Sequence, residues 1–155
     1  MLQHHQEQPS HFRLTTLEDI KYLAPRLRYE DKREILASIG TTPLDALTLS
    51  YYSSNLVFTI VNTKKEPVGI FGITVGGAIW LLATDKLKDI QYSFLKENKK
   101  VIDFLNTKYK ILWNFVDCRN SLHIKWLKWC GFKFINKQNY GVLNEPFYEV
   151  IRICA

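Results

Sequence analysis

His123 is the side chain of this sequence best suited to acid–base chemistry. An imidazole titrates near neutral pH, so it can accept or donate a proton under ordinary conditions. His123 follows Asn120 within the segment 111–132, ILWNFVDCRNSLHIKWLKWCGF. The alternative interpretation, which we favour, is a helix residue whose ring hydrogen-bonds to a neighbouring strand. Three secondary candidates for a catalytic role are Asp117, Tyr148 and Glu149.

The same segment predicts the elements that would position this histidine. Residues 111–116 form an apolar run of β type, and the Asn120 side chain can accept a hydrogen bond from an orphan N–H group at a helix start. Gly131 can adopt the left-handed conformation that ends a helix, and Phe132 then returns to the core. The segment therefore predicts a strand at 111–118, a helix at 120–130 and a strand at 131–135.

The rest of the chain predicts helices and strands in the order β-ααα-βββ-α-β-α-ββ. Gly40 and Pro43 mark a helix end and a helix start, respectively. The other predicted helices cover 17–25, 29–39, 43–54 and 85–107, and the other predicted strands cover 12–15, 56–61, 68–74, 78–83 and 147–153. This order predicts a mixed α/β fold, with a sheet of six to seven strands and helices on both of its faces.

Length and composition indicate one folded domain. The chain has 155 residues, of which 14% are aromatic and 23% are charged, and this favours a globular protein over disorder. We expect a flexible N-terminal segment at 1–11 and a single domain at 12–155. The histidines His4, His5 and His11 of that segment could bind a metal weakly, but a frayed terminus explains them better, and we predict no metal site.

Cysteine usage and hydropathy argue against several other classes of protein. The three cysteines are odd in number and include no CxxC pair, which indicates thiols in a reducing compartment and argues against a disulfide framework or a zinc site. No apolar run approaches about 18 residues, so we expect no transmembrane helix. The polar N-terminus has no signal-peptide core, and we expect a protein that is neither secreted nor membrane-bound.

Positive charge is concentrated in the second half of the chain. The formal net charge is +6. A basic surface could attract nucleic acid, a membrane or a phosphate-rich cofactor, whereas the simpler interpretation, which we favour, is a solvated helix face. The residues that concentrate the charge are Lys96, Lys99, Lys100, Arg119, Lys125, Lys128, Lys133 and Lys137.

The chain resembles the GNAT (GCN5-related N-acetyltransferase) family and, more closely, the internal virion protein A group of tailed phages, small proteins with a GNAT-like fold. The resemblance rests on LRYEDKREI (27–35), WLLATD (80–85), LWNFVDCRNSLHIKWLKWCGF (112–132) and FYEVIR (147–152). It implies a GNAT-like central mixed β-sheet. It also implies a virion or morphogenesis component, found in the host cytoplasm or packaged in the virion, with other virion proteins as partners.

The resemblance also implies a place for acetyl-CoA, where the sequence departs from the family. Active members hold the cofactor pyrophosphate on a glycine-containing loop, but residues 83–90 contain no glycine, and Asp85 and Asp89 would repel an anion there. We therefore favour a self-capped helix start over a pyrophosphate cradle. The residues that would contact the cofactor are Leu82, Ala83, Thr84, Lys86, Lys88 and Asn120.

The catalytic position departs from the family as well. The tyrosine that often protonates the departing thiolate aligns with Leu127, which has no proton to donate, and His123 aligns with a small residue. Trp80 or Trp113 would exclude the cofactor's pantetheine arm if either filled the gap between the fourth and fifth strands. The enzyme assignment therefore stays open.

Three functions follow as hypotheses. The first is a phage virion component with a degenerate acetyl-CoA site and no cofactor. The second is an acetyl-CoA-dependent N-acetyltransferase acting on an amine, in which His123 is the base and the N–H groups near 82–84 polarise the thioester carbonyl. The third, with the least support, is a nucleic-acid binder that uses the basic second half of the chain.

Overall fold

The computed structural model describes residues 10–154, which form seven strands and five α-helices. In chain order these are β1 (Phe12–Leu14), α1 (Leu17–Leu23), α2 (Tyr29–Ser38), α3 (Pro43–Ser53), β2 (Ser54–Val61), β3 (Pro67–Thr74), β4 (Ile79–Ala83), α4 (Gln91–Lys108), β5 (Ile111–Asp117), α5 (Ser121–Trp129), β6 (Lys133–Tyr140) and β7 (Glu145–Ile153). Short 3₁₀ turns cover Ala24–Arg26 and Asp85–Ile90. The predicted order of elements is confirmed.

The strands form two antiparallel sheets that touch at one point. The first sheet has the order β1-β2-β3-β4 and the second has the order β5-β7-β6. A parallel bridge between Ala78 and Trp113 joins them, and the Asn114 side-chain amide donates to the Ile79 carbonyl at 2.5 Å. Beyond these contacts no ladder pairs β4 with β5 within residues 10–154. The ends of β4 and β5 therefore leave room for other groups between them.

Helices cover both faces of this strand layer, as predicted. On one face α4 and α5 pack against the strands around Phe71, Leu112 and Trp126. On the other face α1, α2 and α3 pack around Ile70 and Leu47. The two cores are built by alternate residues of the same strands, because successive side chains of a strand point to opposite faces. The α/β fold class is confirmed.

Two predicted helix ends are confirmed by their backbone geometry. Gly40 follows α2 with φ +67° and Gly131 follows α5 with φ +82°, and both values lie in the left-handed region that glycine adopts readily. At the other end of α5, the Asn120 side chain accepts a hydrogen bond from the His123 N–H group. These caps fix where α5 begins and ends, and they set the position of His123.

Two elements differ from the prediction. The predicted helix 85–107 begins instead with a 3₁₀ turn, and the α-helix starts at Gln91, because Ile90 has φ −119° and ψ 20°. The last hairpin is also longer than predicted, since β6 runs to Tyr140 and β7 starts at Glu145. Residues 136–139 read Asn-Lys-Gln-Asn and are exposed on both faces, so no apolar alternation marks them as a strand.

The predicted flexible segment 1–11 lies almost wholly outside the described residues, and so do His4 and His5. His11 is described and its ring is fixed, with Nδ1 2.8 Å from the Val61 carbonyl oxygen and Nε2 2.9 Å from the Ser93 hydroxyl. Its side chain therefore packs on the domain. No helix in residues 10–154 combines the length and the apolar character needed to cross a bilayer.

Candidate functional site

A small cavity lies beside the end of β4, where the two sheets separate. Its volume is about 100 Å³. Apolar side chains form most of its wall, and polar groups enter it from α2 and α5. The lining residues that matter below are Arg28, Asp31, Ala83, Lys88, His123 and Trp126.

The outer edge of β4 is already bonded to the chain itself. The Ala83 N–H group donates to Asp31 Oδ2 at 2.9 Å, and the Ala83 carbonyl accepts from the Arg28 N–H group at 2.8 Å. Leu27 and Thr84 form an antiparallel bridge beside them. The residues leading into α2 thus pair with β4 as a short strand would, and the backbone groups of Ala83 are occupied.

A buried ion pair holds this arrangement together. Arg28 Nη2 lies 2.7 Å from Asp31 Oδ1, and Arg28 Nε lies 3.3 Å from Asp31 Oδ2. Arg28 is 8% exposed and Asp31 is 1% exposed. Asp31 stands in the first turn of α2, where the helix dipole also favours a carboxylate. Removing Arg28 would leave the buried Asp31 carboxylate without its cation, and removing Asp31 would leave Arg28 with a longer contact of 3.9 Å to Glu30.

Asn120 connects α2 to the start of α5, and both of its amide atoms are bonded within the chain. Its Oδ1 accepts from the His123 N–H group at 3.4 Å and from Arg28 Nη2 at 3.3 Å. Its Nδ2 donates to Asp31 Oδ1 at 3.0 Å and to Glu34 Oε2 at 2.5 Å. The side chain predicted to contact a cofactor is therefore committed to the helix cap and to this network.

His123 sits at the rim of the network. Its Nδ1 lies 3.3 Å from Glu34 Oε2, and its ring stacks on Trp126 with centroids 5.1 Å apart. Its Nε2 is buried and has no hydrogen-bond partner within residues 10–154. Burial lowers the pKa of His123, but the hydrogen bond and charge of Glu34, with the charge of Asp31, outweigh burial and raise the pKa above its usual value. The ring contacts Glu34 of α2, whereas the alternative interpretation expects a partner on a neighbouring strand. The role of His123 as a base stays a prediction.

Asp31, Glu34 and His123 offer ligand atoms that lie within 4.8 Å of one another, close enough to surround a metal ion. The chemistry of the donors argues against one, however. Both oxygens of Asp31 already accept from Arg28, and they also accept from Ala83 and Asn120. A guanidinium therefore supplies the positive charge that a cation would supply. Asp31, Glu34 and His123 therefore fit a hydrogen-bonded network of charged groups better than a metal site.

The other residues predicted to contact a cofactor lie in different places, and not all of them line the cavity. Lys88 lines it, whereas Lys86 is exposed and its Nζ lies 3.6 Å from Glu66 Oε2. Leu82 packs against the core beneath α1, α2 and α3. Thr84 caps the 3₁₀ turn by accepting from the Lys86 N–H group at 3.2 Å. The sequence predicts that residues 83–90 cap their own helix start, and in the structure the Thr84 hydroxyl provides this cap for the 3₁₀ turn. Asp85, in the first turn, is exposed.

The secondary catalytic candidates and the tryptophans lie elsewhere. The Asp117 carboxylate is bound by Arg119, with Oδ2 2.8 Å from Nη2. Burial raises the pKa of Asp117, but its bonds from Arg119 lower it more, so the net shift is downward. Tyr148, Glu149, Trp80 and Trp113 do not line the cavity. Within residues 10–154 the start of α2, and neither Trp80 nor Trp113, lies against the edge of β4 at Ala83.

Three residues of this network carry no local sequence signal of a functional role: Arg28, Asp31 and Glu34. They recur at intervals of three, which places them on one side of α2. Charged residues at such spacing are usual on solvated helices, so the spacing alone does not show that they are buried. All three residues belong to LRYEDKREI (27–35), one of the segments on which the family resemblance rests.

A splayed pair of central strands with helices on both faces defines the GNAT fold class, and solved structures show the same fold. The spermidine N-acetyltransferase from Vibrio cholerae in complex with CoA and spermine matches with a TM-score of 0.64 and 11% identity, covering 92% of this chain and 94% of that one. The aminoglycoside acetyltransferase AAC(6′)-Ib in complex with coenzyme A matches with a TM-score of 0.66 and 14% identity, covering 92% and 93%.

The ribosomal-protein-S5-alanine acetyltransferase from Vibrio fischeri matches with a TM-score of 0.60 and 18% identity, covering 96% of each chain. Identities this low show the fold alone, and this chain has a GNAT-like fold. The chain belongs to the bacteriophage T7 probable scaffold protein Gp13 family, whose sequence model matches residues 57–139. No curated protein sequence matches the chain significantly.

Proposed function

We propose that the chain is a structural component of phage particle assembly, and that its acetyl-CoA site is degenerate. Membership of a probable scaffold protein family supports the first part, since a scaffold works by contacting other virion proteins. The internal virion protein A group is the more specific assignment that the sequence resemblance supports. The place of action would be the host cytoplasm during assembly, followed by packaging in the virion.

The bond from Ala83 to Asp31 carries the second part of the proposal. In the acyltransfer hypothesis, the N–H groups at the end of β4 polarise the thioester carbonyl of the cofactor. Here the Ala83 N–H group is held by a buried carboxylate at 2.9 Å, and the Thr84 N–H group donates to the Val68 carbonyl at 2.9 Å. An acyl oxygen would have to displace a charged acceptor from its ion pair, which is unfavourable.

The size of the cleft supports the same conclusion. Pockets that bury a drug-sized ligand have volumes of roughly 300–1,000 Å³, whereas this cavity measures about 100 Å³. The loop after β4 also offers little to a pyrophosphate, because a six-residue 3₁₀ turn with Asp85 in its first turn replaces a glycine-rich helix start.

A complementation experiment tests the proposal. A phage that lacks this gene would be grown on cells that supply the wild-type chain or the His123→Gln variant, and intact particles would be counted. We expect both chains to restore particle yield equally, because assembly needs the fold and makes no use of a base. Loss of particles with a His123→Gln chain that melts like the wild type would contradict the proposal.

One observation favours the alternative, an active N-acetyltransferase. The contact between His123 Nδ1 and Glu34 resembles the pairing by which a carboxylate orients a catalytic base. Asp31 would first have to release the Ala83 N–H group. Incubation with acetyl-CoA and a panel of polyamines and peptides, read by mass spectrometry, tests it. Acetylated product that disappears with His123→Gln would establish the alternative, and absence of product with every acceptor would count against it.

A further inference from the structure

The charge of this chain is concentrated in one quarter of its length. Residues 96–137 contain nine lysines and one arginine against three acidic residues, so this stretch alone exceeds the +6 of the whole chain. It includes most of α4, all of β5 and α5, and the first part of β6. Because these lysines are spread over different elements, their proximity depends on how the elements pack.

The fold brings four of them close together, through neighbouring aromatic rings and a shared cavity. Lys99 Nζ lies 5.5 Å from the ring centroid of Trp129, and Lys128, the residue before Trp129, lies 5.5 Å from the ring of Phe134. Lys137 Nζ lies 5.8 Å from the ring of Tyr148, and the Phe134 and Tyr148 rings are 5.4 Å apart. Lys133 and Lys99 line one open cavity of about 410 Å³. We call Lys99, Lys128, Lys133 and Lys137 the lysine face.

The positive charge of the lysine face is not neutralised by ion pairs among the described residues. None of its four lysines forms an ion pair with a carboxylate in residues 10–154. The two acidic residues of α4 bind other groups. Asp103 lines the same cavity as Lys99 and Lys133 but pairs with Arg152. Glu97 accepts from Ser10 and from the His11 N–H group. All four lysines are exposed, so an outside anion can reach them.

The chemistry of this surface indicates the kind of anion. The lysine face is spread over two helices and a strand, and three of its ammonium groups lie over the rings of Trp129, Phe134 and Tyr148. An ammonium group over a ring face competes with an unpaired base for stacking on that face, although Trp129 is itself 48% exposed. Lysine ammonium groups act as point charges and carry no fixed geometry for reading base edges. These properties suit the repeated phosphates of a duplex better than a single strand.

We propose that the lysine face binds the phosphate backbone of double-stranded nucleic acid, without sequence preference. This goes beyond the assembly role proposed above, because a scaffold needs only protein partners. It predicts an affinity that falls steeply with salt, since each neutralised phosphate releases counterions.

Fluorescence anisotropy with a labelled DNA duplex of about 25 base pairs tests the proposal over roughly 50–200 mM salt. The test variant is Lys99→Gln/Lys128→Gln/Lys133→Gln. The control variant is Lys21→Gln/Lys64→Gln/Lys65→Gln, which removes the same charge from exposed positions on α1 and the β2–β3 turn. Equal circular dichroism spectra and melting temperatures would establish that both variants are folded.

We expect the test variant to bind at least about tenfold more weakly and to reduce the slope of log affinity against log salt by about 2 to 3, at ~0.9 per phosphate contact. The control should stay close to the wild type. Three results would overturn the proposal: no binding at the lowest salt, equal losses in both variants, or tighter binding of a single strand of the same length. A failure here would leave the particle-yield result of the assembly proposal unaffected.

Discussion

At the scale of single residues, Asp31 decides what the cleft can do. It accepts hydrogen bonds from Arg28, from the Ala83 N–H group and from Asn120, and it is 1% exposed. A carboxylate in this position makes β4, the start of α2 and the cap of α5 depend on one another. The carboxylate whose Oδ2 holds the Ala83 N–H group also binds Asn120 through its Oδ1, so one side chain closes the cleft and joins the three elements.

Replacing Asp31 by alanine should therefore destabilise the protein by about 3–5 kcal/mol, because Arg28 would stay buried without its partner. The matched control is Asp45→Ala, since Asp45 also lies in the first turn of a helix but is exposed and forms no ion pair within residues 10–154. Urea unfolding measures both variants. Equal, small losses would show that the network contributes little to stability.

The pH dependence of stability tests the His123–Glu34 contact. Because the pKa of His123 is raised in the folded state, its contribution to stability is full below the unfolded-state pKa of about 6.5 and declines as pH rises through the folded-state pKa. The difference in unfolding free energy between wild type and His123→Gln should therefore shrink as pH rises. A difference that stays constant or grows from acid to alkaline pH would be inconsistent with this contact.

The three network residues of α2 could not be identified from the sequence, for a physical reason. Their partners are distant along the chain: Asp31 and Ala83 are separated by 52 positions, and Asp31 and Asn120 by 89. Local patterns report which residues share a helix face, but only tertiary packing decides whether that face is buried. His123 and Asn120 were identified because their types and spacing carry information on their own.

At the scale of elements, the turn between β6 and β7 docks on the end of α2. The N–H groups of Val142 and Leu143 donate to the carbonyls of Ser38 and Ala37, each at 3.2 Å. These bonds satisfy carbonyls that the last turn of a helix leaves without partners. The hairpin thus braces the helix that carries Asp31 and Glu34.

Gly141→Ala should break this contact. Gly141 has φ +79°, and an added Cβ would lie 2.4 Å from the Ala37 carbonyl oxygen. We expect a loss of about 1–3 kcal/mol, from the left-handed backbone and the clash together. Gly76→Ala is the control, because an added Cβ there meets nothing within 4 Å and its φ is not positive. Equal thermal stability of the two variants would argue against the docking.

Sequence patterns predict the ends of some elements correctly and miss others. Gly40, Gly131 and Asn120 mark helix ends correctly because capping is a local property. The second half of β6 was missed because its polar residues are exposed on both faces, so burial leaves no mark on them. Its pairing with β7 is visible only in the structure.

At the scale of the whole molecule, the family and the geometry of the site both favour an assembly role over acetyl transfer. The chain has the GNAT-like fold of acetyltransferases whose solved structures contain CoA, and it belongs to a family of probable phage scaffold proteins. We infer that the chain's own α2 occupies the edge of β4 at which the acyltransfer hypothesis would place the cofactor.

Thermal unfolding of the wild-type chain with acetyl-CoA measures whether the cleft can still admit the cofactor. Because the cleft is occupied, we predict no change in melting temperature up to millimolar cofactor, under conditions in which the Vibrio cholerae spermidine N-acetyltransferase serves as the CoA-binding control. A ligand at 100 times its dissociation constant would add about 2.7 kcal/mol of stability, or about 5–10 °C for a chain of this size. A saturating rise of that magnitude would show that the cofactor binds despite the pairing of α2 with β4.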